Sequence, residues 1–420
     1  MTSLLQRNSR SRLESMLKSF RVVLLEGARQ TGKTTLARDL LNLPDDAWFS
    51  LDNEAVLNQA VNDPVGFIDT LPVPAAIDEV QRAGQGLILA IKMAADRRGD
   101  RGQLLLTGSA NYLAARGVSE TLAGRVGRIA LWPLSVGERR SVRETFVDTL
   151  FNPDAWPPRV EPVSRAEIAD LILEGGFPEV VTEQLTGRDR RDWFEAYTHD
   201  VISREELRPI AQIRSEENLR MLFRLMAART ASEVQISDIA NDAQQQRTTV
   251  TKHLALLEAL HLVVTIPAWS TNVASSVKQR PKSVLVDTGL AADLCGAGEK
   301  TFTPNGNPAL AGALFESLVI TEVLKQTVWS EHSIDLRHYR DRHGGEIDLI
   351  VEERRTGEIA AIEVKLSSTP HRKHAKHLMW LRDKLGDRFK LGLVVHGGAN
   401  TLLLGDRIWA VPVSALWRSD

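Results

Sequence analysis

Three scarcities narrow what this chain can be. It is 420 residues long and has one cysteine, Cys295, so it cannot form a disulfide within itself. Its apolar runs fall far short of the roughly 20 residues that a membrane-spanning helix needs. Its opening segment holds no apolar stretch of signal-peptide length. These absences exclude a disulfide-stapled fold and predict a cytoplasmic protein with no membrane partner.

An excess of charge of one sign is also missing, because 52 Lys and Arg residues balance 54 Asp and Glu residues. The formal net charge of −2 gives no global attraction to nucleic acid, so any such binding must come from local patches. Apolar residues make up 43% of the chain and charged residues 25%, as in ordinary globular proteins. Because this length exceeds a single core, we expect about three domains.

A glycine-rich loop is the most specific motif present. The segment Gly27-ARQT-Gly32-Lys33-Thr34 satisfies G-x-x-x-x-G-K-[ST], follows a strand-like run and opens a helix-like one. Such a loop turns its N–H groups toward phosphate oxygens. With ATP bound, Lys33 would reach the β- and γ-phosphates and the Thr34 hydroxyl would hold Mg²⁺. The residues predicted to bind the nucleotide are Gly27, Ala28, Arg29, Gln30, Thr31, Gly32, Lys33, Thr34 and Thr35.

Two adjacent acids follow a later apolar run, in Val73-PAAI-Asp78-Glu79. The position suits a site in which Asp78 holds Mg²⁺ through water and Glu79 polarises the attacking water. Adjacent acids are also common on solvated surfaces, but a phosphate loop about 45 residues earlier favours the catalytic interpretation. We therefore expect ATP hydrolysis, with Lys33, Asp78 and Glu79 as catalytic residues.

A third strand-like run, Gln103-LLLTGSA, ends in small polar residues. ATPases of the AAA+ type carry a sensor of the γ-phosphate at this place, and Ser109, with Asn111 in reserve, is the candidate here. An ordinary Gly-Ser turn fits equally well. Farther on, Arg125 and Arg128 stand beside glycines. Arg125 is the candidate arginine finger acting across a subunit interface, which would require a homo-oligomer.

The last third of the chain alternates helix-like and strand-like segments, which predicts a mixed sheet flanked by helices. Asp348 lies on one strand, and Glu363 and Lys365 lie two apart on the next, so they share a face. Glu316 on the preceding helix can face the same side. Carboxylates that hold Mg²⁺ or Mn²⁺ beside an ammonium suit phosphodiester cleavage, with Asp348, Glu363 and Lys365 catalytic. The alternative is an exposed Glu363–Lys365 ion pair.

Basic residues cluster just after this pair, where a scissile phosphate would lie. Such a cluster also occurs on solvated helices, and no Cys/His set has the spacing of a structural zinc site. The cluster consists of His371, Arg372, Lys373, His374, Lys376 and His377.

The middle of the chain is proline-rich over 139–164, which indicates a linker or surface excursion. Residues 211–280 follow the pattern of a winged helix-turn-helix, with a turn before the third helix. Packing or subunit contact explains that pattern as well as DNA binding does. If the module reads DNA, the contacts come from Arg247, Thr248, Thr251 and Lys252.

Ordered motifs run through nearly the whole chain: GARQTGKTT, AIDEVQ, LLLTGS, LAGRV and WPLS, then GGFPE, KSVLVDTGL, FES, GEIDLI and IEVK. In this set and order the chain resembles a prokaryotic group of AAA+-like ATPases with a C-terminal restriction-endonuclease-like domain of the PD-(D/E)xK type. The resemblance implies ATP binding and a link to nucleic acid. It also identifies the helices of 165–210 as similar to the lid that covers the nucleotide in AAA+ proteins.

These observations predict an α/β protein whose AAA+-type ATPase acts on a DNA-binding, and in one version DNA-cleaving, C-terminal domain. The alternative is a nucleotide-dependent regulatory switch or scaffold, of a defence or toxin–antitoxin kind, whose nuclease-like domain does not cleave. The predicted domains are a P-loop core (1–138), the linker (139–164), the lid (165–210), the winged helix (211–280) and the nuclease-like domain (281–420).

The phosphate loop generates the first testable expectation. Because Lys33 contacts phosphates only when a nucleotide is bound, Lys33→Ala should abolish ATP binding or turnover and leave the fold intact. Turnover is measured as phosphate release and the fold by circular dichroism. Unchanged turnover would remove the P-loop assignment.

Overall fold

The computed structural model describes residues 5–97, 99–109, 124–203, 207, 215–270, 279–341 and 344–418. Within them the helices are α1 (Arg10–Ser19), α2 (Lys33–Leu41), α3 (Glu54–Asn62), α4 (Pro64–Thr70), α5 (Gly84–Arg97), α6 (Val136–Arg139), α7 (Phe146–Thr149), α8 (Arg165–Glu174), α9 (Pro178–Thr182), α10 (Gly187–Val201), α11 (Glu216–Ala228), α12 (Ile236–Asp242), α13 (Arg247–Ala259), α14 (Thr288–Leu294), α15 (Pro308–Gln326) and α16 (Lys376–Leu385). The strands are β1 (Val22–Glu26), β2 (Trp48–Ser50), β3 (Ala75–Asp78), β4 (Leu104–Gly108), β5 (Val126–Ala130), β6 (Ser232–Glu233), β7 (Val263–Ile266), β8 (Lys282–Leu285), β9 (Ile334–Arg340), β10 (Glu346–Glu353), β11 (Ile359–Lys365), β12 (Phe389–His396), β13 (Leu402–Gly405) and β14 (Ile408–Pro412). None of the described helices is long and apolar enough to cross a membrane.

Five parallel strands form the N-terminal sheet, in the order β2-β3-β4-β1-β5. Strands β1, β3 and β4 are buried along their whole length, which explains their nearly continuous apolar sequences. Val22 and Leu24 pack with α3, α4 and α5 on one face, and Val23 and Leu25 pack with α1 and α2 on the other. The sheet is therefore the middle of a three-layer αβα core, as the sequence predicts.

The carboxyl ends of these parallel strands lie at one edge of the sheet. The glycine-rich loop follows β1, Asp78 ends β3, and Ser109 follows β4. Because β4 lies between β1 and β3, these three groups meet at that edge. Asn111 lies outside the described residues.

The proline-rich segment 139–164 packs against neighbouring helices instead of spanning a gap. Phe146 and Leu150 are 0% exposed and Trp156 is 7% exposed, all within one large apolar core. The Trp156 indole N–H donates to the Thr149 carbonyl oxygen at 2.8 Å. The large apolar side chains between the prolines anchor the segment, which its proline content alone did not indicate.

The middle module contains α11, α12 and α13 with a three-stranded antiparallel sheet in the order β6-β8-β7. The winged-helix interpretation of this module stays a prediction. Strand β8 begins at Lys282, so the boundary predicted after residue 280 falls between two strands of one sheet. This placement makes Lys282 part of the middle module's sheet.

Six strands form the C-terminal mixed sheet, in the order β13-β14-β12-β11-β10-β9. Helix α15 packs on the face that carries Leu349 and Ile362, and α16 packs on the opposite face with Ile350 and Ala361. The sequence predicts one final strand from Asp406, whereas the structure has a hairpin of β13 and β14 that turns there. The mixed sheet itself is as predicted.

Candidate nucleotide site and carboxylate centre

The glycines of the phosphate loop are required by its geometry. A Cβ atom on Gly27 would lie 2.2 Å from the Leu131 carbonyl oxygen, so no larger residue fits between β1 and the end of β5. Gly32 has a φ of 89°, a conformation that side chains disfavour, immediately before α2 begins. The loop therefore delivers the N-terminus of α2 to the sheet edge.

Lys33 is buried and folded back on its own loop. Its Nζ donates to the Gly27 carbonyl oxygen at 3.0 Å and to the Ala28 carbonyl oxygen at 2.8 Å. The Thr31 hydroxyl also donates to the Ala28 oxygen, at 2.9 Å. A phosphate in this loop would compete with these carbonyls for the ammonium, and an anion is the stronger acceptor.

Thr34 and Asp78 meet at the same edge. The Thr34 Oγ1 lies 3.1 Å and 3.3 Å from the two Asp78 carboxylate oxygens, and the Thr107 hydroxyl also donates to Asp78. Burial raises the pKa of Asp78, hydrogen bonds from Thr107 and Thr34 oppose the rise, and repulsion from Glu79 adds to it. A hydroxyl beside a carboxylate is a fitting donor set for Mg²⁺, which takes few protein ligands and completes its shell with phosphates and water.

Glu79 and Ser109 are joined by a residue that the sequence reasoning missed. The Gln81 side-chain amide donates to the Glu79 carboxylate and, at 2.9 Å, to the Ser109 Oγ. Glu79 has a φ of 57°, and its N–H donates to the Thr107 Oγ1 at 3.2 Å. Gln81 and Thr107 thus position the predicted water-activating acid and the predicted sensor together. Gln81 is the last residue of the AIDEVQ motif, and this position was the only feature of the sequence that could have indicated its role.

Arg125 lies away from this edge. It immediately precedes β5, and Val126 at the start of β5 pairs with Val22 at the start of β1, so Arg125 stands at the amino end of the sheet. Its guanidinium forms an ion pair with Asp96. It does not reach the phosphate loop of its own chain, so an arginine-finger role would have to act on a second copy. Arg128 lies within β5 and acts electrostatically on Glu26.

Residues from distant segments cover the phosphate loop. The Arg7 guanidinium donates to the Thr31 carbonyl oxygen at 2.7 Å and to the Trp132 carbonyl oxygen at 2.6 Å. The Tyr197 hydroxyl, from α10, donates to the Arg29 carbonyl oxygen at 3.3 Å. These contacts place the N-terminal segment and the predicted lid directly on the loop.

His261, from the turn between α13 and β7, reaches the same region. Its ring packs edge-on against Trp132, with 5.6 Å between the ring centroids. Burial, with nearby Lys33, lowers the pKa of His261 to about 4. The middle module therefore reaches Trp132 and lies close enough to Lys33 for an electrostatic effect, through a residue with no sequence signal.

A cavity of about 800 Å³ opens beside the loop, within the usual range of small-molecule sites. It lies between the N-terminal segment, the start of α2 and the segment Leu134–Arg143. Its walls include Arg7, Asn8, Gly32, Thr35, Glu138 and Pro178.

A second candidate site lies on the C-terminal sheet. The pairing of Leu349 with Ile362 places Asp348 and Glu363 side by side on β10 and β11. Asp348 Oδ2 accepts the Val364 N–H at 2.8 Å. The structure thus brings Glu316, Asp348 and Glu363 together with Glu346, which the sequence reasoning did not include. We call this largely buried cluster of four acids the carboxylate centre.

Two lysines neutralise part of this charge. Lys365 Nζ lies 2.7 Å from Glu363 Oε1, and its side chain is 38% exposed. Lys282 Nζ lies 2.5 Å from Glu316 Oε1 and 3.5 Å from both Asp348 Oδ1 and Glu346 Oε1. The sequence reasoning did not identify Lys282 as a site residue. The feature that could have indicated it is its position as a single lysine at the start of the apolar run SVLV.

Burial and mutual repulsion perturb these acids. Burial, with repulsion from Asp348, raises the pKa of Glu316 to about 7 and that of Glu363 to about 8. The Glu363 Oε2 is buried with no hydrogen-bond partner. In the part of the chain that the structure describes, no group of three or more His, Cys, Asp or Glu side chains is arranged to hold a metal ion. The acids are paired with lysines instead.

The residues predicted to contact DNA lie at the surface. Arg247, Thr248, Thr251 and Lys252 are exposed on the first turns of α13. Much of the basic cluster of residues 371–377 is exposed as well. Burial lowers the pKa of His374 and the nearby Lys365 lowers it further, so His374 lies near the lysine that pairs with Glu363.

Family models match three stretches of the chain. The model of an AAA domain matches residues 19–139, which contain the whole parallel sheet and the phosphate loop. Residues 19–139 are a P-loop ATPase domain of the AAA type. Two domains of unknown function, DUF8612 and DUF4143, match residues 165–301 and 311–416.

Similar proteins cover much of the chain. The uncharacterized protein Rv2008c of Mycobacterium tuberculosis is 26% identical over 412 residues, which are 98% of this chain and 84% of that protein. Mb2031c of Mycobacterium bovis gives the same values. The Walker-type ATPase PABY2304 of Pyrococcus abyssi superposes with a TM-score of 0.44 at 18% identity, over 69% of this chain and 96% of that one. The Thermotoga maritima RuvB Holliday junction branch migration motor gives 0.29 at 19% identity, over 62% and 89%.

Buried charges tie the ATPase domain to α15. Glu322 Oε2 accepts the Val136 N–H at 2.8 Å. Lys325 Nζ donates to the Leu134 carbonyl oxygen at 3.0 Å and to Glu322 at 2.7 Å. Leu134 and Glu138 also line the cavity beside the phosphate loop, so one short segment contacts both.

Three of the sequence motifs meet at a second contact. Asp287 of DTGL accepts the Gly176 N–H of GGFPE at 2.6 Å and the Leu290 N–H at 2.9 Å. Gly176 in turn accepts the N–H of Leu134, of WPLS, at 2.7 Å. A Cβ atom on Gly175 would lie 2.3 Å from Asp287 Oδ1, so only glycine permits this approach. The motifs that served as landmarks in the sequence therefore form one junction of the ATPase domain with the rest of the chain.

The junction predicts a pH dependence through Glu144, which accepts N–H groups from Gly137 and Asn8. Burial, with repulsion from Glu322, raises the pKa of Glu144 from 4.5 to about 8. The folded state therefore keeps a proton that the unfolded state loses, and stability falls as pH rises from about 5 to 8, by at most about 1.4 kcal/mol per pH unit from this group.

Glu144→Gln should flatten this decline, because the amide does not titrate and can still accept the Gly137 N–H. The measurement is the thermal midpoint between pH 5.5 and 8, with the exposed Glu161→Gln as the matched control. An unchanged slope in Glu144→Gln would show that this carboxyl is not the proton-binding group.

Proposed function

We propose that the chain hydrolyses ATP with Mg²⁺ and uses the cycle to control its C-terminal module. The observation that carries the proposal is the contact of the Thr34 hydroxyl with the Asp78 carboxylate at the end of the phosphate loop. This is the pair of groups that would hold Mg²⁺ against the β- and γ-phosphates, where the ion neutralises developing charge. The adjacent cavity has the size and place for the nucleoside.

Each side chain at the sheet edge then has a role. Lys33 leaves the loop carbonyls and binds the phosphates. Glu79, held by Gln81, orients and polarises the attacking water. Ser109, held by the same Gln81 amide, contacts the γ-phosphate and reports its loss. Arg125 serves a neighbouring copy, which makes the working form a homo-oligomer.

The contacts around the loop support a coupled cycle. Three distant segments reach the phosphate loop or its surroundings: Arg7 and Tyr197 donate to loop carbonyls, and His261 lies near Lys33. The cavity wall continues into the segment that Glu322 and Lys325 hold. Occupancy of the site therefore acts on α15, and α15 carries Glu316 of the carboxylate centre. A nucleotide can change the state of that centre only if it binds one conformation of the chain more tightly than another, and these contacts are where such a difference would arise.

Glu79→Gln tests the hydrolytic role. Without a carboxylate to polarise water, the variant should bind ATP as the wild type does but turn it over about 100-fold or more slowly. Binding is measured with a fluorescent ATP analogue, and turnover as phosphate release. Glu54→Gln, at an exposed glutamate on α3, is the matched control and should leave turnover unchanged. Loss of binding in Glu79→Gln would mean that the acid pair has been misassigned.

The C-terminal module is proposed to bind DNA, and two versions remain. The first is a nuclease, supported by the adjacent Asp348 and Glu363 and by the exposed basic cluster beside Lys365. The second is a nucleotide-dependent switch or scaffold that does not cleave. The buried ion pair of Lys282 with Glu316 supports the second version, because it satisfies these acids without a metal.

Incubation with linear, single-stranded and branched DNA separates these versions. The wild type and an Asp348→Ala/Lys365→Ala variant are compared with Mg²⁺ or Mn²⁺, with and without ATP. In the nuclease version only the wild type cleaves. In the switch version neither cleaves, and DNA binding changes with ATP. Equal cleavage by both proteins would point to a contaminant and count against the assigned site.

A further inference from the structure

A lysine from outside the C-terminal sheet occupies the middle of the carboxylate centre. Lys282 is 1% exposed, and its Nζ lies 2.5 Å from Glu316 and 3.5 Å from Asp348. It belongs to β8, which pairs with β6 and β7 in the middle module. The centre therefore takes its acids from α15, β10 and β11 and its buried cation from a separate sheet.

The ammonium stands where a cation shared by two carboxylates would stand. Glu316 and Asp348 lie on different elements, and Lys282 is the group that contacts both of them. A divalent cation bridging the same two carboxylates would need this space and would be repelled by the ammonium. The second lysine, Lys365, forms its ion pair with Glu363 at the exposed side and acts on Asp348 and Glu316 only at longer range.

Lys282 does not act as a second substrate-contacting lysine in this arrangement. Its side chain is 1% exposed, whereas that of Lys365 is 38% exposed. A DNA phosphate can reach Lys365 without rearrangement, but it cannot reach an ammonium enclosed by acids. The ammonium of Lys282 therefore interacts with the surrounding carboxylates and not with a substrate.

We propose that Lys282 is the resident cation of the carboxylate centre and excludes a divalent cation from the position between Glu316 and Asp348. This inference rests on the proposed function of the C-terminal module and adds the regulation of its carboxylate centre. Beside Asp348, Glu363 has a buried Oε2 with no hydrogen-bond partner, so the two lysines leave one carboxylate oxygen of the centre unpaired. Withdrawal of Lys282 opens a site for Mg²⁺ or Mn²⁺.

A path for that withdrawal is built into the chain. Strand β8 continues directly to Asp287, which grips the N–H of Gly176. Gly176 is bonded to Leu134 of the segment that lines the nucleotide cavity. One short, hydrogen-bonded route therefore connects the wall of the cavity to the strand that carries Lys282.

Manganese binding to the nucleotide-free full chain tests the proposal, with free Mn²⁺ followed by electron paramagnetic resonance. Lys282→Met removes the ammonium and keeps most of the side-chain volume, and it should bind one Mn²⁺ about 10- to 100-fold more tightly than the wild type. Adding Glu316→Gln should reverse the gain. Combining Lys282→Met with Asp78→Asn should leave the gain in Mn²⁺ affinity in place, because Asp78 belongs to the ATPase domain. No gain in folded Lys282→Met overturns the proposal.

A second measurement keeps the test decisive if Lys282→Met does not fold. In the otherwise unchanged chain, Glu316→Gln should leave Mn²⁺ affinity as it is, because Glu316 is engaged by Lys282. A tenfold or greater loss would mean that Glu316 already holds metal, and the proposal would fail. ATP turnover measured on the same preparations separates this result from the proposed ATPase function, since a failed lysine role leaves turnover intact.

Discussion

Charges buried in a protein interior must be paired or hydrogen-bonded, and this requirement decides how the parts of the chain meet. Helix α15 carries Glu316 into the carboxylate centre and, farther along, Glu322 and Lys325 into the ATPase domain. Removing one partner at either place would leave an uncompensated charge, which typically costs about 3–5 kcal/mol. The helix therefore connects the two distant sites through buried ion pairs and hydrogen bonds.

Backbone hydrogen bonds complete the same junction. Asp287 binds the Gly176 N–H, and Gly176 binds Leu134. Glycine is needed at positions 175 and 176 because a Cβ atom there would collide with Asp287 or with Leu134. Motifs that look unrelated in the sequence thus serve one contact, and that contact joins the wall of the nucleotide cavity to the strand of Lys282.

The local sequence pattern was enough to predict much of the fold and part of each site. The buried strands, the phosphate loop and the adjacent acids have signatures written within a few residues, and they occupy the places predicted for them. Gln81, Arg7 and Lys282 were not predicted as site residues. Each acts through a partner that is distant in the sequence or through a geometry that spacing does not encode, such as the link from Gln81 to Ser109. Proline content was misleading over 139–164, because burial of Phe146 and Trp156 overrides it.

The sequence by itself determined the kinds of chemistry available: a loop that can cradle phosphates, acids that can hold magnesium, and carboxylates placed on one face of a sheet by the period of a strand. Only the tertiary structure decided how those groups are paired. The tertiary structure folds Lys33 onto its own loop, places Arg125 at the amino end of the sheet, and inserts Lys282 among the acids. The physical reason is that pairing depends on distances between remote segments, which burial and charge compensation set only after the whole chain has packed.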